Sequence, residues 1–385
     1  MLARSPNSAD TLLIAAISGR ALAAAARRAG YRPLVADLFR DIDTVALAER
    51  AIKLPGSLHD GIAGEALIPA LHELAGNERP AALVLGSGFE RHPDMVEELG
   101  RHFSPVAGCG GEAIRAAKDP DRLAAACAEL GIPHPALSWT PPADPHNWVV
   151  KTSGGAGGSH IGRADGAPLP TGRYFQRFVA GESVSTLFIG AGDDTRIVGF
   201  SRQWASRAPD APYRYGGAVR LRRFRRDTAA RIAEWLRTLS CRFNLLGLCS
   251  ADFIRNGDSY TLLEINPRPG ATLDIFDDTE APLIKAHLDA SAGRPFVLPR
   301  FRDAMAAMIA YTPTPIARFP ALAWPDWVAD RQPAGSRLDP GDPVCTIFAR
   351  GVSAAATCRT LRANALDLQS QWQSQWQTQQ EEGRP

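Results

Sequence analysis

The chain has few cysteines for its length and no long apolar run. Its six cysteines form no C-x-x-C pair, so neither a zinc site nor a disulfide framework is expected. No segment approaches the roughly 20 apolar residues of a membrane span. An apolar run near the start is interrupted at Arg20 without a cleavage pattern, which argues against a signal peptide. We therefore expect a soluble, cytoplasmic protein with no membrane partner.

Net charge and lysine are also scarce. The formal charge is only +2, which by itself indicates neither a nucleic-acid nor a membrane partner. Four of the 43 basic residues are lysines, namely Lys53, Lys118, Lys151 and Lys285. With 385 residues and 45% hydrophobic composition, the chain can form two or three ordinary globular domains. Any binding site must be identified from local patterns.

The first hundred residues alternate predicted strands and helices. Strands are expected at 11–17, 33–38 and 81–89, and helices at 21–29 and 93–102. This order predicts a small parallel sheet flanked by helices. The first turn, "ISGRAL", lacks the G-x-G-x-x-G fingerprint, so we expect no dinucleotide site there. The domain is interpreted as a scaffold and one wall of a substrate cleft.

The stretch "DFIRNGDSYTLLEINPRPG" carries the main chemical signal. Glu264 and Asn266 are two apart on a predicted strand and share a face, and the preceding strand contributes Asp252. A two-residue loop at 256–257 would place Asp252 on the opposite side. We therefore predict an odd-length or bulged loop that brings Asp252 to the face of Glu264 and Asn266.

Two carboxylates and an amide oxygen on one face are typical Mg²⁺ ligands, and nucleotide phosphates and water would complete the octahedron. The alternative is an edge strand whose polar face is merely solvated. The neighbouring segments favour the metal site. Lys118 precedes a predicted helix, and Lys151 ends the strand "NWVVK" beside the Gly-rich turn "TSGGAGGSH". A lysine and bare glycine amides can together bind phosphate.

Residues 110–275 resemble the ATP-grasp ligases, in which a nucleotide lies between two small α+β lobes. The resemblance implies ATP and Mg²⁺ (or Mn²⁺) as cofactors. It implies phosphate contacts from Lys118, Lys151, Gly155, Gly157 and Gly158, and metal ligation by Asp252, Glu264 and Asn266. The fold class it implies is mixed α/β and α+β, with an N-terminal parallel-sheet, Rossmann-like pre-ATP-grasp domain followed by a two-lobed ATP-grasp fold.

The strand "YFQRFVAGESVS" resembles the interlobe hinge of the same family. The backbone of Arg177, Phe178 and Val179 would pair with the adenine edge, and Gln176 would meet the adenine amino group. Glu182 would hold the ribose hydroxyls, although it comes one residue earlier than in relatives with the longer hinge.

Arg268 and two further segments are candidates for substrate contacts. In such ligases an arginine at the position of Arg268 stabilises the acyl-phosphate and the tetrahedral intermediate. The stretch "APYRYGGA" (211–218) is a candidate substrate loop, with Tyr213 to Gly216 as candidate contacts. The basic run 219–227 is a solvated face, a surface that steers an anionic substrate, or a nucleic-acid patch. His160 is expected to be a bystander.

The predicted function is ATP-dependent ligation of a carboxylate to an amine through an acyl-phosphate, with an amino acid or glutamate as the lead acid substrate in cofactor biosynthesis. The alternatives are a carboxylase of purine metabolism and a non-catalytic ATP-binding module. Small-molecule substrates are the expected partners, and a homodimer is left open. The predicted division is 1–110, small lobe 111–182, large lobe 183–300, C-terminal module 301–368 and Gln-rich tail 369–385, the tail being a frayed helix end or disordered.

Overall fold

The computed structural model describes residues 10–382, and their side chains as far as Trp372. The N-terminal part is a five-stranded parallel sheet in the order β3-β2-β1-β6-β7. Its strands are β1 (Thr11–Ala16), β2 (Arg32–Asp37), β3 (Arg50–Lys53), β6 (Ala82–Leu85) and β7 (Val106–Ala107), with a separate pair β4 (Gly56–Ser57) and β5 (Gly61–Ile62). The helices are α1 (Arg20–Arg28), α2 (Ile42–Leu47), α3 (Gly64–Ala75) and α4 (Pro93–His102).

Strand β1 shows why this sheet is buried on both faces. All six of its residues are buried, and alternate side chains enter two different cores: Leu13 packs with α3 and Leu12 with α1. A continuous apolar strand of this kind is typical of parallel sheets covered by helices. The predicted parallel sheet is confirmed, whereas α2, β3 and α3 were not predicted.

The small lobe follows two short helices, α5 (Gly111–Lys118) and α6 (Pro120–Glu129). Asp119 caps α6 by accepting from the amides of Asp121 and Arg122, and Pro120 occupies the first helical position. The lobe itself is an antiparallel sheet in the order β10-β9-β11-β8. Its strands are β8 (Leu137–Ser138), β9 (Trp148–Thr152), β10 (Gly162–Arg163) and β11 (Arg173–Arg177). Lys118 thus ends α5, and Lys151 lies in β9.

The remaining strands form one antiparallel sheet of eight, in the order β16-β15-β12-β13-β14-β17-β19-β18. They are β12 (Glu182–Ala191), β13 (Arg196–Ala205), β14 (Tyr215–Arg220), β15 (Leu246–Asn256), β16 (Ser259–Asn266), β17 (Ala304–Tyr311), β18 (Val328–Ala329) and β19 (Pro343–Gly351). The helices are α7 (Arg226–Phe243), α8 (Leu273–Phe276), α9 (Leu283–Ser291) and α10 (Ala354–Glu382). Ile232, Leu236 and Leu239 of α7 repeat at helical spacing and are fully buried, so they form the apolar face of this helix.

One expectation about the C-terminal region needs correction. The segment after residue 300 is not a separate module, because β17 pairs directly with β14 and extends the large-lobe sheet. The Gln-rich stretch is helical as far as Glu382, so of its two expected states the helix end agrees with the structure, and residues 383–385 lie outside the described chain. Within residues 10–382 no helix is long and apolar enough to cross a membrane.

Candidate active site

The β15–β16 hairpin places the predicted metal ligands on one face through a shift of register inside the strands, which was not expected. Its loop has two residues, because Asn256 pairs with Ser259, so the prediction of an odd-length or bulged loop was wrong. The register instead shifts inside the strands, where Phe253 pairs with Leu262 and Asp252 pairs with Glu264. The extra residue, Leu263, forms a one-residue bulge. Asp252 therefore lies directly opposite Glu264.

Hydrogen bonds join the three predicted ligands and Lys118. Asn266 Nδ2 donates to Asp252 Oδ2 at 3.0 Å, and Lys118 Nζ donates to Asn266 Oδ1 at 2.7 Å. The same ammonium lies 3.5 Å from Glu264 Oε2. The hairpin and the end of α5 thus converge on a single cluster of oxygen atoms and one positive charge.

One oxygen of this cluster has no partner. Asp252 Oδ1 is buried, and no group among the described residues donates to it. Leaving a buried acceptor unsatisfied costs about 1–3 kcal/mol, and more if it is charged. Among the described residues, no three or more His, Cys, Asp or Glu side chains are placed together to hold a metal. In the β15–β16 hairpin the third candidate ligand is instead the side-chain amide of Asn266. The open oxygen and the hard donors nevertheless fit Mg²⁺.

The two carboxylates respond differently to their surroundings. Burial, reinforced by the neighbouring Glu264, raises the pKa of Asp252 to about 6. Burial alone would also raise the pKa of Glu264, but Lys118 and Lys151 outweigh it and hold that pKa well below its usual value. Glu264 is therefore ionised at neutral pH, and Asp252 is the first of the two to take up a proton as the pH falls.

Lys151 approaches the cluster from the small lobe. It is 3% exposed, and its Nζ donates to Gln176 Oε1 at 3.4 Å. Burial lowers the pKa of Lys151, although the charge of Glu264 opposes that effect. A buried ammonium with only one neutral hydrogen-bond partner keeps donors free for an anionic ligand.

The Gly-rich turn lies over Lys118 and contacts the candidate substrate loop. Lys118 Nζ is 3.5 Å from the Gly155 carbonyl oxygen, and the Tyr215 amide donates to the Gly157 carbonyl at 2.9 Å. Gly158 has φ +77°, and a Cβ there would collide with the Tyr213 carbonyl oxygen. The turn is therefore a closed, packed element that only glycine can form at this position.

His160 packs behind the same turn. A Cβ on Gly155 would overlap its imidazole ring, and Nδ1 lies 3.3 Å from the Ala156 carbonyl oxygen. Burial lowers the pKa of His160 to about 4, so the ring is neutral near pH 7. These contacts support the interpretation of His160 as a packing residue.

Two of the three hinge amides already donate to other backbone carbonyls of the protein. The Arg177 amide donates to the Ala136 carbonyl and the Phe178 amide to the Asn147 carbonyl, each at 2.8 Å. Within the described chain the Val179 amide has no such acceptor. Of the three amides predicted to meet adenine, only that of Val179 is therefore free to donate to a base.

Glu182 is the first residue of β12, beyond the hinge. Its carboxylate oxygens lie 3.5 Å from guanidinium nitrogens of Arg202 and Arg255. The side chain is therefore held by two arginines instead of projecting freely, and its ribose role stays a prediction.

A buried ion pair links the predicted catalytic arginine to the N-terminal domain. Arg268 Nε donates to Glu90 Oε1 at 2.7 Å, and Glu90 Oε2 accepts from the Gly88 amide at 2.7 Å. Burial would raise the pKa of Glu90, but Arg268 and Lys118 lower it below its ordinary value. Sequence reasoning missed Glu90. The available signal was its place five residues after β6, at the carboxyl edge of a parallel sheet, where ligands often bind.

The candidate substrate loop is shorter than predicted, because Tyr215 and Gly216 belong to β14. Arg214 is held in place: its guanidinium lies 3.7 Å from the centre of the Tyr311 ring and donates to the Gly341 carbonyl. Only Tyr213 and Arg214 of the four candidates lie in a loop.

The basic run 219–227 is not one exposed surface. Arg220 is buried and paired with Asp303, whereas Arg225 is exposed and paired with Asp227 and Asp258. The run is divided between β14, a short connection and the start of α7. This division argues against a continuous cationic patch for nucleic acid or an anionic substrate.

Part of the chain matches a known protein family. Residues 117–272 match the family model of an ATP-grasp domain. That span holds both lysines, the Gly-rich turn, the hinge and all three predicted metal ligands. The chain therefore contains an ATP-grasp domain.

Among curated proteins, the chain is 24% identical over 243 residues to the carbamoyl phosphate synthase large chain of Rubrobacter xylanophilus. The match covers 55% of this chain but 22% of the relative, so the chain spans about a fifth of that relative's length.

Two solved structures share the fold over nearly the whole chain. An L-amino acid ligase from Bacillus licheniformis is 12% identical with a TM-score of 0.67, covering 93% of this chain and 97% of its own. Carboxyaminoimidazole ribonucleotide synthase from Aspergillus clavatus, complexed with ATP, is 14% identical with a TM-score of 0.66, covering 95% and 99%. At such low identity these similarities establish the fold alone.

Proposed function

We propose that this protein is an ATP- and Mg²⁺-dependent ligase that joins a carboxylate to an amine through an acyl-phosphate. The observation that carries the proposal is the convergence of Asp252, Glu264 and Asn266 with Lys118 beneath a closed Gly-rich turn. The ATP-grasp family match over the same residues supports it.

Each group has a distinct task in this proposal. Lys118 and Lys151 bind and neutralise the phosphates of ATP, with the amides of Gly157 and Gly158 as further donors. The Val179 amide donates to the adenine ring. Asp252, Glu264 and Asn266 would hold Mg²⁺, which when bound neutralises charge on the β- and γ-phosphates.

The reaction has two steps. A carboxylate oxygen bonds to the γ-phosphorus as the bond from that phosphorus to the β–γ bridging oxygen breaks, which releases ADP. The amine nitrogen then bonds to the acyl carbon, phosphate leaves with the carbon–oxygen bonding electrons, and the nitrogen loses its proton to solvent or phosphate. Arg268 stabilises charge that develops on the acyl-phosphate oxygens, and the closed Gly-rich turn excludes water that would hydrolyse that intermediate.

An amino acid or glutamate is our proposed acid substrate, in the biosynthesis of a cofactor. The similarity in fold to an L-amino acid ligase supports this choice. A carboxylase that phosphorylates bicarbonate is the second candidate, because a carboxyaminoimidazole ribonucleotide synthase shares the fold equally well. ADP release that depends on bicarbonate and not on an amino acid would favour the carboxylase.

The test is a screen of amino acids and amines for Mg²⁺- and ATP-dependent ADP release, with the products identified by mass. Glu264→Gln or Asn266→Ala should reduce turnover by at least about 100-fold with the fold retained, because each removes a metal ligand. Glu280→Gln, an exposed acid in a loop, is the matched control and should leave turnover unchanged. Near-normal turnover in either ligand variant would contradict the metal assignment.

A further inference from the structure

A cavity of about 260 Å³ lies beside Arg268 and has no role in the phosphate chemistry described above. The N-terminal sheet, β14, β17 and the segment after Arg268 enclose it. At roughly 30 Å³ per water it has room for about nine waters, or one molecule the size of an amino acid. Pockets of this kind, mostly apolar with a few convergent polar groups, are the usual sites of small ligands.

The lining of the cavity combines two kinds of residue. Gly86, Pro269 and Gly270 bring it next to Arg268, whose guanidinium lies against Gly270. Four charged side chains also line it, namely Arg20, Asp41, Asp274 and Asp330. A ligand that contacts both groups would thus place one end at the reacting centre and the other among these charges.

The four charged side chains are three carboxyl groups and one guanidinium. Arg20 donates to both oxygens of Asp274, at 2.6 and 2.8 Å, and to both oxygens of Asp330, at 2.9 and 2.8 Å. One guanidinium therefore serves two carboxylates. Asp41 is a third carboxylate, and within the described chain it has no ion-pair partner.

Asp41 is buried, and among the described residues it forms no ion pair, although the charge of Arg20 acts on it from a distance. It is 2% exposed, and its only hydrogen-bond donors among the described residues are the amide and hydroxyl of Thr44, at 2.8 and 3.1 Å. Arg331 is near but is engaged by Asp43 at 2.6 Å, and Asp37 adds further negative charge. Burial, followed by the charge of Asp330, raises the pKa of Asp41 to about 7.

The capping role of Asp41 does not explain the carboxylate. Asp41 caps α2 through the Thr44 amide, and an uncharged asparagine would serve that purpose as well. A buried carboxylate without an ion-pair partner is costly, and a cationic ligand would offset that cost by stabilising the ionised form.

Much of the remaining lining is apolar. It includes Ile17, Leu22 and Ile309 together with Tyr215 and Tyr311. Such a lining suits the methylene chain of a ligand.

We propose that this cavity binds the organic substrate that carries a cationic group at its far end, such as a diamine or a basic amino acid. The ammonium or guanidinium lies against Asp41, the methylene chain lies between Tyr215 and Tyr311, and the reacting end reaches Gly270 beside Arg268. The inference rests on the proposed ligase function, and it specifies the chemical class of one substrate.

Isothermal calorimetry on the full chain with matched compounds tests the inference. The probes are arginine against citrulline, lysine against norleucine, and 1,5-diaminopentane against 5-amino-1-pentanol, each with a nonhydrolysable ATP analogue and Mg²⁺ present. We expect at least one probe to bind at least about tenfold more tightly than its partner, which carries one cationic group fewer. Asp41→Asn should remove that preference.

Two measurements separate the possible failures. Asp94→Asn, an exposed acid elsewhere in the N-terminal domain, should keep the preference. The ATP analogue should bind Asp41→Asn as it binds the unaltered chain, which shows that the variant is folded. If the analogue binds but no cationic probe exceeds its partner, or if Asp41→Asn keeps the preference, the inference is overturned and the ligase proposal stands. If the analogue does not bind the unaltered chain, the proposed function itself fails.

Discussion

The ion pair between Glu90 and Arg268 should make a large and strongly coupled contribution to stability. Its side chains are 3% and 13% exposed, and the donor and acceptor are 2.7 Å apart. Removing one partner of a buried pair typically costs 3–5 kcal/mol, because the other charge is left uncompensated. Arg268→Gln leaves the more deeply buried charge, that of Glu90, without a partner. We therefore expect the free energy of unfolding to fall by about 3 kcal/mol or more. Glu90→Gln should cost less, about 2 kcal/mol, because Arg268 retains some contact with water.

The double variant tests whether these costs share one origin. When both charges are removed, neither is left uncompensated, so Glu90→Gln with Arg268→Gln should cost at least about 1 kcal/mol less than the two single variants combined. The assay is urea unfolding of all four proteins at pH 7.5 without ligand, with equal slopes required for the comparison. Additive costs, or a change below about 0.5 kcal/mol in either single variant, would refute the buried-pair reasoning.

Two further predictions concern nucleotide binding and pH. Lys151→Ala should weaken the ATP affinity measured by calorimetry at least about tenfold, because it removes a buried donor to phosphate. The control Arg231→Ala, on the exposed face of α7, should leave the affinity unchanged. Equal affinities of the two variants would count against the phosphate role of Lys151. Burial lowers the pKa of His287 to about 4, so the folded state resists its protonation. The contribution of the neutral His287 ring to the free energy of unfolding is complete above its unfolded-state pKa, near 6.5. This contribution is lost as the pH falls toward 4, and about 2 kcal/mol of it is lost by pH 5. His287→Asn should flatten the decline in urea stability between pH 7 and 5 by that amount, and an unchanged decline would exclude this origin.

Much of the fold could be read from local patterns. Apolar runs predicted β1, β2 and β6, and the helical spacing of Ile232, Leu236 and Leu239 matches the buried face of α7. The lysine beside the Gly-rich turn was visible for the same reason, because its signal lies within a few adjacent residues.

The remaining features depend on contacts between distant parts of the chain. The bulge at Leu263, which decides the face of Asp252, leaves no mark in the residue types around it. Glu90 meets Arg268 across 178 positions, and Arg20 meets Asp330 across 310. No periodicity within a short window can report such pairs.

The pairing of β14 with β17 has a practical consequence for anyone who expresses part of this protein. A fragment trimmed to the family match, residues 117–272, would lack β17. It would leave β14 as an unpaired edge strand, which is prone to aggregation. It would also lack Glu90 and leave Arg268 without its anion. Cloning boundaries should therefore follow the sheet and include both flanking regions.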